Sequence, residues 1–179
     1  MKNIIFISGT PTTGKTTISE ILADNLNYHL IKINDLAIEN NLVLGTDESK
    51  GYKIIDITAL DDLLTGIIEK HENLIVEGHL SHLCSAADKV IILRCRPEIL
   101  EKRLKDRGYS KNKIRENLEA EALGVCFAES YEKYPLNTCE LDCSYLSIDE
   151  AVSILTDVIL NGRHLSSGEI DFTEWLLSF

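Results

Sequence analysis

The sequence has few of the features that mark membrane-spanning, secreted or nucleic-acid-binding proteins. It has 18 lysines and arginines against 29 aspartates and glutamates, a formal net charge of −11, and such a surface repels nucleic-acid phosphates. No apolar run approaches the roughly 20 residues of a membrane-spanning helix. The short apolar run in "MKNIIFISG" leads into a glycine turn rather than a signal-peptide cleavage site. We therefore expect a cytoplasmic protein with no membrane anchor and no extensive direct contact with nucleic acid.

Cysteine and proline are too sparse to suggest a disulfide framework or proline-rich segments. The 179 residues include only five cysteines and three prolines. Because the cysteines are odd in number, form no CxxC pair and fall in apolar segments, we expect reduced core thiols. The alternative is that Cys139 and Cys143 form half of a metal site. The remaining cysteines are Cys84, Cys95 and Cys126.

Apolar runs alternate with helical patterns along the whole chain. Five runs predict strands, and their continuous hydrophobicity is typical of a parallel sheet covered on both faces. They are residues 3–8, 28–33, 73–78, 88–94 and 138–143. The pattern predicts one α/β domain, residues 1–179, with a parallel five-stranded sheet and helices on both faces. Ligands are expected at the carboxyl ends of the strands.

Capping signals set the expected helix boundaries in the second half of the chain. Pro97 and Gly108 bracket one helix. A longer helix is predicted to begin at Ser110 and to continue through Val125, because apolar residues recur there at helical spacing. Ser147 opens a capping box for a helix that ends near residue 161.

The final segment, residues 163–179, contains the aromatic stretch "DFTEWLLSF". This stretch predicts a short helix with Phe172, Trp175 and Leu176 on one side. A short apolar helix of this kind covers either its own domain or another chain. The sequence leaves both alternatives open.

A phosphate-binding motif follows the first predicted strand. In "GTPTTGKTT", residues 9–17, Gly9, Gly14, Lys15 and Thr16 satisfy G-x-x-x-x-G-K-[ST] between a strand and a helix. The glycines let backbone N–H groups turn inward, Lys15 places a cation by the β- and γ-phosphates, and the Thr16 hydroxyl can ligate Mg²⁺. Thr17 is positioned to contact the α-phosphate. The motif predicts a site for a nucleoside triphosphate with Mg²⁺.

The loop has one unusual residue at its centre. Thr12 stands where small nucleotide kinases commonly have another glycine. A threonine makes the loop less permissive than a glycine, since its β-branched side chain restricts the backbone. It still offers a backbone N–H to a phosphate, so we expect binding to persist.

Phosphoryl transfer relies on positioning and charge stabilisation, which makes arginines the next candidates. Arg94, Arg96, Arg103 and Arg107 occur in "RCRPEILEKRLKDRGYS". Arg103 and Arg107 are four residues apart, on one face of the predicted helix and next to a turn that can close over a nucleotide. The alternative is a solvated charged face that includes neighbouring acidic residues.

Acidic and imidazole groups follow the third predicted strand, in "VEGHLSH". Glu77 is at the carboxyl end of the strand, where it can hold Mg²⁺ through water, or else serve as a helix cap or surface carboxylate. His79 is interpreted as a polar group near the phosphates. A weaker alternative pairs His79 with His82 as metal ligands.

Several stretches together resemble the adenylate kinase isoenzyme 6 family in its archaeal branch. They are "FISGTPTTGKTTISEILADNL", "INDLAIENNL", "IVEGHLSH", "RCRPEILEKRLKDRGYSKNKIRENLEAEALGVCFAESYE" and "GEIDFTEWL". They cover nearly the whole chain in the family's order. The arginine-rich stretch is the most specific, because many enzymes share the phosphate loop.

The resemblance implies a P-loop nucleoside triphosphate hydrolase fold of the nucleoside monophosphate kinase type. The ATP loop would consist of Thr12, Gly14, Lys15, Thr16 and Thr17. Monophosphate binding would fall at about residues 31–54, where a helix begins at residues 34 and 35, and a short lid at about 106–116. The implied reaction transfers phosphate from ATP to AMP, gives two ADP and requires Mg²⁺.

The resemblance also implies roles for individual side chains. Arg107 matches the arginine that contacts ATP, so Lys15, Arg103 and Arg107 are the expected catalytic residues, with Thr16 and Glu77 at the metal. Glu77 follows the archaeal pattern, whereas eukaryotic relatives have an aspartate there. The lid lacks the four cysteines of zinc-bearing adenylate kinases, so no structural zinc is expected.

Two other functions stay open from the sequence. Relatives in this family are linked to ATP hydrolysis and to maturation of the small ribosomal subunit through a basic ribosomal protein, a partner compatible with the acidic charge. The acidic stretch 116–132 or the Trp175 segment would then be the docking surface. A small-metabolite kinase, such as a shikimate kinase, would use the same loop with another acceptor. Asp35, Asp56 and His79 are all candidates for a general base.

Overall fold

The computed structural model describes residues 2–47 and 52–178. Its strands are β1 (Asn3–Ser8), β2 (His29–Lys32), β3 (Val43–Asp47), β4 (Tyr52–Ile55), β5 (Asn73–Glu77), β6 (Lys89–Arg94) and β7 (Thr138–Asp142). Its α-helices are α1 (Lys15–Leu26), α2 (Ile33–Glu39), α3 (Ile57–Ile68), α4 (Pro97–Asp106), α5 (Lys111–Ala122), α6 (Val125–Lys133) and α7 (Ile148–Leu160). Strands and helices alternate through most of the described chain.

The central sheet contains five parallel strands in the order β2-β5-β1-β6-β7. The five predicted strands are all present, each within one residue of the expected bounds. Their carboxyl ends meet at one edge of the sheet, and the loop between β1 and α1 lies there. The predicted α/β class and parallel five-stranded sheet are therefore confirmed.

Apolar side chains fill both faces of the sheet. On one face, Ile5 and Ile7 of β1 pack with Leu22 of α1 and Leu155 of α7. On the other face, Phe6 packs among residues of α2 and α3. Because successive β1 residues point to opposite faces and both faces are buried, the strand sequence is apolar throughout. None of the described helices is long and apolar enough to cross a membrane.

The helix predicted from Ser110 through Val125 is wrong in one respect, since it is two helices. Helix α5 ends at Ala122 and α6 begins at Val125. Gly124 separates them with a left-handed φ of 64°. A Cβ at this position would lie 3.5 Å from the Arg94 guanidinium. The glycine thus provides both the turn and the close approach to a buried arginine.

The region expected to bind the monophosphate, residues 31–54, contains an element that the sequence did not predict. Strands β3 and β4 form an antiparallel two-stranded hairpin that is separate from the main sheet. The expected helix is α2, which begins at Ile33. Residues 48–51 of this region lie outside the described residues. A two-stranded hairpin is stable only when it packs on something else.

The final segment lies on its own domain and forms a 3₁₀ turn, Thr173–Ser178, instead of the predicted α-helix. Phe172 is 7% exposed, and the Arg94 guanidinium lies 5.3 Å from the centre of its ring. Trp175 packs against the cluster that includes Ile114 and Leu118. Of the two alternatives for the aromatic segment, the structure supports contact within the chain.

Candidate active site

The phosphate loop packs closely against β6, and this packing restricts the backbone conformation at Gly9. Gly9 has a φ of 136°, and a Cβ at this position would lie 2.4 Å from the Leu93 carbonyl oxygen. A side chain cannot occupy that space without moving backbone. Gly14, with a φ of 106°, then caps the start of α1. The loop N–H groups therefore precede a helix N-terminus, which favours an anion.

Lys15, the first residue of α1, reaches back across the loop. Its side chain is 8% exposed, and Nζ donates hydrogen bonds to the Gly9 and Thr10 carbonyl oxygens, each at 2.8 Å. Burial lowers the pKa of Lys15 to about 8, although nearby carboxylates such as Glu77 favour the charged form. These two carbonyl oxygens hold the ammonium group against the loop.

Thr12 adopts a conformation that glycine adopts more easily. Its φ is 67°, which is costly for a β-branched residue. Its hydroxyl is buried and has no hydrogen-bond partner among the described residues. A non-glycine residue in this conformation typically costs about 1–3 kcal/mol, in agreement with the expectation of a less permissive loop.

A hydroxyl and a carboxylate meet beside the loop. Thr16 Oγ1 donates a hydrogen bond to Glu77 Oε1 at 3.3 Å. Glu77 is the last residue of β5, the strand next to β1. Burial raises the pKa of Glu77, while the Lys15 charge opposes that shift. These oxygens are the hard donors that Mg²⁺ prefers, so the pair fits such an ion.

One cleft of about 330 Å³ contains most of the predicted site residues. Its lining is Thr12, Gly14, Lys15, Thr16, Thr17, Arg103, Asp106, Arg107 and Tyr109. Arg103 is on α4 and Arg107 is its C-cap, so both arginines face the phosphate loop. The structure thus brings together, at this cleft, residues that are up to 97 positions apart in the sequence, from Thr12 to Tyr109.

Arg94 and Arg96, the other two candidates from the arginine-rich stretch, have different surroundings. Arg94 is 2% exposed and pairs with the Glu121 and Glu140 carboxylates. Arg96 is exposed, and its guanidinium lies 5.7 Å from the centre of the Phe172 ring. Neither is among the residues that line the cleft. The sequence could not separate these two arginines from the cleft pair, because orientation depends on tertiary packing.

The two histidine candidates, His79 and His82, also have different surroundings. His79 is an exposed residue, but the protein packed around its ring and the Lys15 charge lower its pKa to about 4. His82 is buried between Ser8 Oγ at 2.7 Å and Glu129 Oε2 at 2.9 Å. Both His82 ring nitrogens therefore already have partners. Among residues 2–47 and 52–178, no three His, Cys, Asp or Glu side chains group as a metal site.

Asp56 and Asp35 also differ. The Asp56 carboxylate accepts a hydrogen bond from the Ala59 backbone N–H at 3.0 Å and so caps α3. This capping role accounts for Asp56 without catalysis. Asp35 lies in the first turn of α2 and lines a separate cavity of about 280 Å³ with Lys32. Of the two aspartates, Asp35 lines a cavity, whereas Asp56 serves as a helix cap.

The cysteines are free thiols in the described structure. Cys139 donates a hydrogen bond to the Val90 carbonyl at 3.7 Å, and Cys143 donates one to the Leu141 carbonyl at 3.6 Å. Burial raises the pKa of Cys139 to about 11 and that of Cys143 to about 12. Both thiols are therefore protonated at neutral pH, and both side chains are part of the hydrophobic core.

A smaller cavity that the sequence did not predict extends from the cleft. It has a volume of about 180 Å³ and shares Thr12, Gly14 and Arg103 with the cleft. The rest of its wall is largely apolar and follows β7: Cys143, Leu146, Ile148 and Ala151, with Ile18 from α1. The sequence indicated this position only through the predicted strand 138–143, which is β7 in the structure. Ligands of parallel sheets bind at the carboxyl ends of such strands.

A phosphate loop at the carboxyl edge of a five-stranded parallel sheet defines the P-loop kinase fold. The YorR protein of Bacillus subtilis, solved with phosphorylated GDP, has this fold at 19% identity and a TM-score of 0.61, with 92% of this chain and 100% of that chain covered. Thymidylate kinase from Candida albicans matches at 17% identity and a TM-score of 0.57, with 90% and 92% covered. These likenesses establish the fold.

Sequence comparisons then identify the family. A family model described as an AAA domain matches residues 5–124. A protein of Methanothermobacter thermautotrophicus is 42% identical over 97% of this chain and 99% of its own length. One of Methanocaldococcus jannaschii is 37% identical over 95% and 93%. Both carry the name "Putative adenylate kinase". This chain belongs to the family of these archaeal proteins, as the sequence resemblance predicted.

Proposed function

We propose that this protein is an adenylate kinase, which transfers the γ-phosphoryl group of ATP to AMP and releases two ADP. The observation that carries the proposal is the convergence of Lys15, Arg103 and Arg107 on one cleft above the phosphate loop. The choice of adenine nucleotides is supported by the name of the archaeal relatives.

The donor nucleotide would occupy the cleft and the smaller cavity beside it. Its phosphates would accept hydrogen bonds from the loop N–H groups, with Lys15 turning from the Gly9 and Thr10 carbonyls to the β- and γ-phosphates. Thr17 would contact the α-phosphate. The largely apolar cavity of about 180 Å³ suits the base. Arg103 and Arg107 would stabilise charge on the transferred group.

Thr16 and Glu77 are the residues that would hold Mg²⁺. The ion would neutralise charge shared between the β- and γ-phosphates. Thr16 and Glu77 are already within 3.3 Å of each other, so the oxygen donors need little rearrangement. Their proximity also orients the Thr16 hydroxyl toward the carboxyl end of β5.

The acceptor would bind between the cleft and the segment that contains α2 and the β3–β4 hairpin. The cavity beside Lys32 and Asp35 opens on this segment. The hairpin also presents apolar side chains to solvent, with Leu44 69% and Ile54 49% exposed. Tyr52 joins the hairpin to the lid region by a hydrogen bond to Glu116 Oε2 at 3.0 Å. These features support a closable acceptor site on the lid side of the cleft.

The proposal is tested by ADP formation from Mg²⁺–ATP with purified protein, with and without AMP. We expect rapid ADP formation that depends on AMP, and none above background with the Lys15→Ala variant. ADP formation that ignores AMP would overturn the proposal and make ATP hydrolysis the main activity. A screen of other monophosphates and of small hydroxyl-bearing metabolites, run in the same assay, would detect a different acceptor.

The assembly-factor alternative receives less support from the acidic stretch 116–132. Glu121 is buried against Arg94, Glu116 accepts the Tyr52 hydrogen bond, and Glu129 contacts His82. These three of the five carboxylates in the stretch already have partners within the chain, so less of its negative charge is left to recruit a basic protein. The alternative predicts a nucleotide-sensitive complex with a basic ribosomal protein, which pull-down in the ATP and ADP states would detect.

A further inference from the structure

A buried carboxylate outside the cleft contacts the phosphate loop. Glu121, near the end of α5, is 2% exposed, and its Oε2 accepts a hydrogen bond from the Thr10 hydroxyl. Thr10 is a loop residue whose backbone carbonyl accepts a hydrogen bond from Lys15 Nζ at 2.8 Å. A single residue therefore separates Glu121 from the lysine of the phosphate site, although Glu121 is not among the residues that line the cleft.

The other oxygen of Glu121 is fixed by the end of β6. Oε1 accepts hydrogen bonds from Arg94 Nε and from the Cys95 backbone N–H, each at 2.9 Å. Arg94 Nη2 also donates to the Glu121 backbone carbonyl at 2.8 Å. Because the arginine contacts both the side chain and the main chain of Glu121, the carboxylate has one orientation. That orientation points Oε2 at Thr10.

The carboxyl-terminal segment fixes Arg94 from the opposite side. Arg94 Nη1 contacts Glu140 Oε1, and Glu140 Oε2 accepts a hydrogen bond from the Gly168 backbone N–H at 2.9 Å. Phe172 covers the guanidinium. Glu140 is 1% exposed and Arg94 is 2% exposed, so water does not weaken these contacts. The network runs without interruption from the last segment of the chain to the phosphate loop.

We propose that Glu121 is a positioning residue for the phosphate loop. Through the Thr10 hydroxyl it fixes the peptide group whose carbonyl orients Lys15. It also ties that loop to α5, the helix that contains part of the lid region. The inference rests on the proposed function, since the orientation of Lys15 matters to activity only if the loop binds a nucleotide.

The physical reason is preorganisation. A loop whose N–H groups and lysine are already oriented binds a triphosphate without a further ordering cost. Loss of the Thr10 hydroxyl would leave one Glu121 oxygen buried without a donor and would free the loop peptide. Part of the loop would then become ordered only when ATP binds. The free-energy cost of that ordering would lower the affinity for ATP.

The experiment compares variants by calorimetric titration with Mg²⁺–ATP and by thermal unfolding of the free protein. Thr10→Val retains the shape but removes the hydroxyl, and we expect the Kd for ATP to rise about tenfold. Thr10→Ser restores the hydroxyl and should bring the Kd back to within about twofold of wild type. Glu121→Gln should also weaken ATP binding, because an amide has one acceptor oxygen and cannot accept hydrogen bonds from both Arg94 and the Thr10 hydroxyl.

Glu119→Gln is the matched control on the same helix. Glu119 forms an exposed pair with Arg115, four residues away, and we expect its variant to bind ATP as wild type does. A lower unfolding temperature for Thr10→Val or Glu121→Gln, with ATP affinity unchanged, would overturn the positioning role and leave a purely structural network. Absence of ATP binding by the wild-type protein would instead overturn the proposed function, and the inference with it.

Discussion

The proposed donor side and the proposed acceptor side of the cleft are held in different ways. On the donor side, the loop from Gly9 to Lys15 packs against β6 and is fixed by buried hydrogen bonds. On the acceptor side, a two-stranded hairpin stands apart from the main sheet and exposes apolar side chains such as Leu44. The comparison suggests that a preformed donor site works with an acceptor site that is completed when substrate binds.

The difference follows from how much structure surrounds each region. The donor loop joins the central strand β1 to α1, so the core of the whole domain supports it. None of the described residues of β3 and β4 is buried, and the hairpin contacts the lid region through Tyr52. Regions with little buried apolar surface open with a small free-energy cost. Changes on the donor side should therefore have the larger effects.

The largest effect is expected from Lys15→Ala. Removal of the ammonium group should lower kcat by about 10³-fold, because charge on the transferred phosphoryl group loses a stabilising cation. Steady-state kinetics at saturating ATP and AMP measures this loss, and circular dichroism checks that the fold is kept. Near-normal turnover in the folded variant would contradict the donor-site assignment.

Arg107→Ala should have the next largest effect, a decrease in kcat of about 10²-fold. Arg107 lines the cleft at the C-cap of α4, where it would act on the transferred group. Arg163→Ala is a suitable control, since Arg163 lies beyond α7 and pairs with Asp157 at 3.9 Å. Equal kinetics for the two variants would remove Arg107 from the mechanism.

Two glycine variants, one in the phosphate loop and one in the hairpin, compare how much each region contributes to the free energy of unfolding. Gly9→Ala should lower the free energy of unfolding by at least about 2 kcal/mol, because its Cβ would meet the Leu93 carbonyl oxygen. Gly45→Ala, in the hairpin, should change stability by less than about 0.5 kcal/mol, since no atom of the described residues lies within 4 Å of its Cβ position. Denaturant unfolding measures both, and similar losses would contradict the proposed contrast.

The smallest effect is expected from Tyr52→Phe, which removes the hydrogen bond to Glu116 Oε2. The hydroxyl stays protonated at neutral pH, because burial and Glu116 raise the pKa of Tyr52 to about 12. A lost hydrogen bond of about 1 kcal/mol should raise the KM for AMP about fivefold and leave the KM for ATP unchanged. An increase confined to the KM for ATP would place Tyr52 on the donor side instead.

The phosphate loop was largely predictable because its residues are contiguous. Gly9, Gly14, Lys15 and Thr16 form a motif whose spacing already specifies a strand, a turn and a helix. The parallel strands were predictable for a similar reason, since burial on both faces makes each one a continuous apolar run. Local sequence therefore carries most of the information about the sheet and the loop.

Contacts between distant segments were not predictable in the same way. Nothing local distinguishes Arg94, which points inward to Glu121, from Arg103, which points into the cleft. The hairpin was missed because its strands are short and lie outside the main sheet. The break at Gly124 was missed because apolar residues continue at helical spacing through the turn. Each of these features depends on tertiary packing.

The central claim, a donor site and an acceptor site in one cleft, is tested most directly with a compound in which five phosphates join two adenosines. If both sites are present at the distance that phosphoryl transfer requires, this compound should bind at least about hundredfold more tightly than ATP, because its second half binds intramolecularly. Calorimetric titration measures both affinities. An affinity equal to that of ATP would contradict the account, since only the donor site would then be occupied.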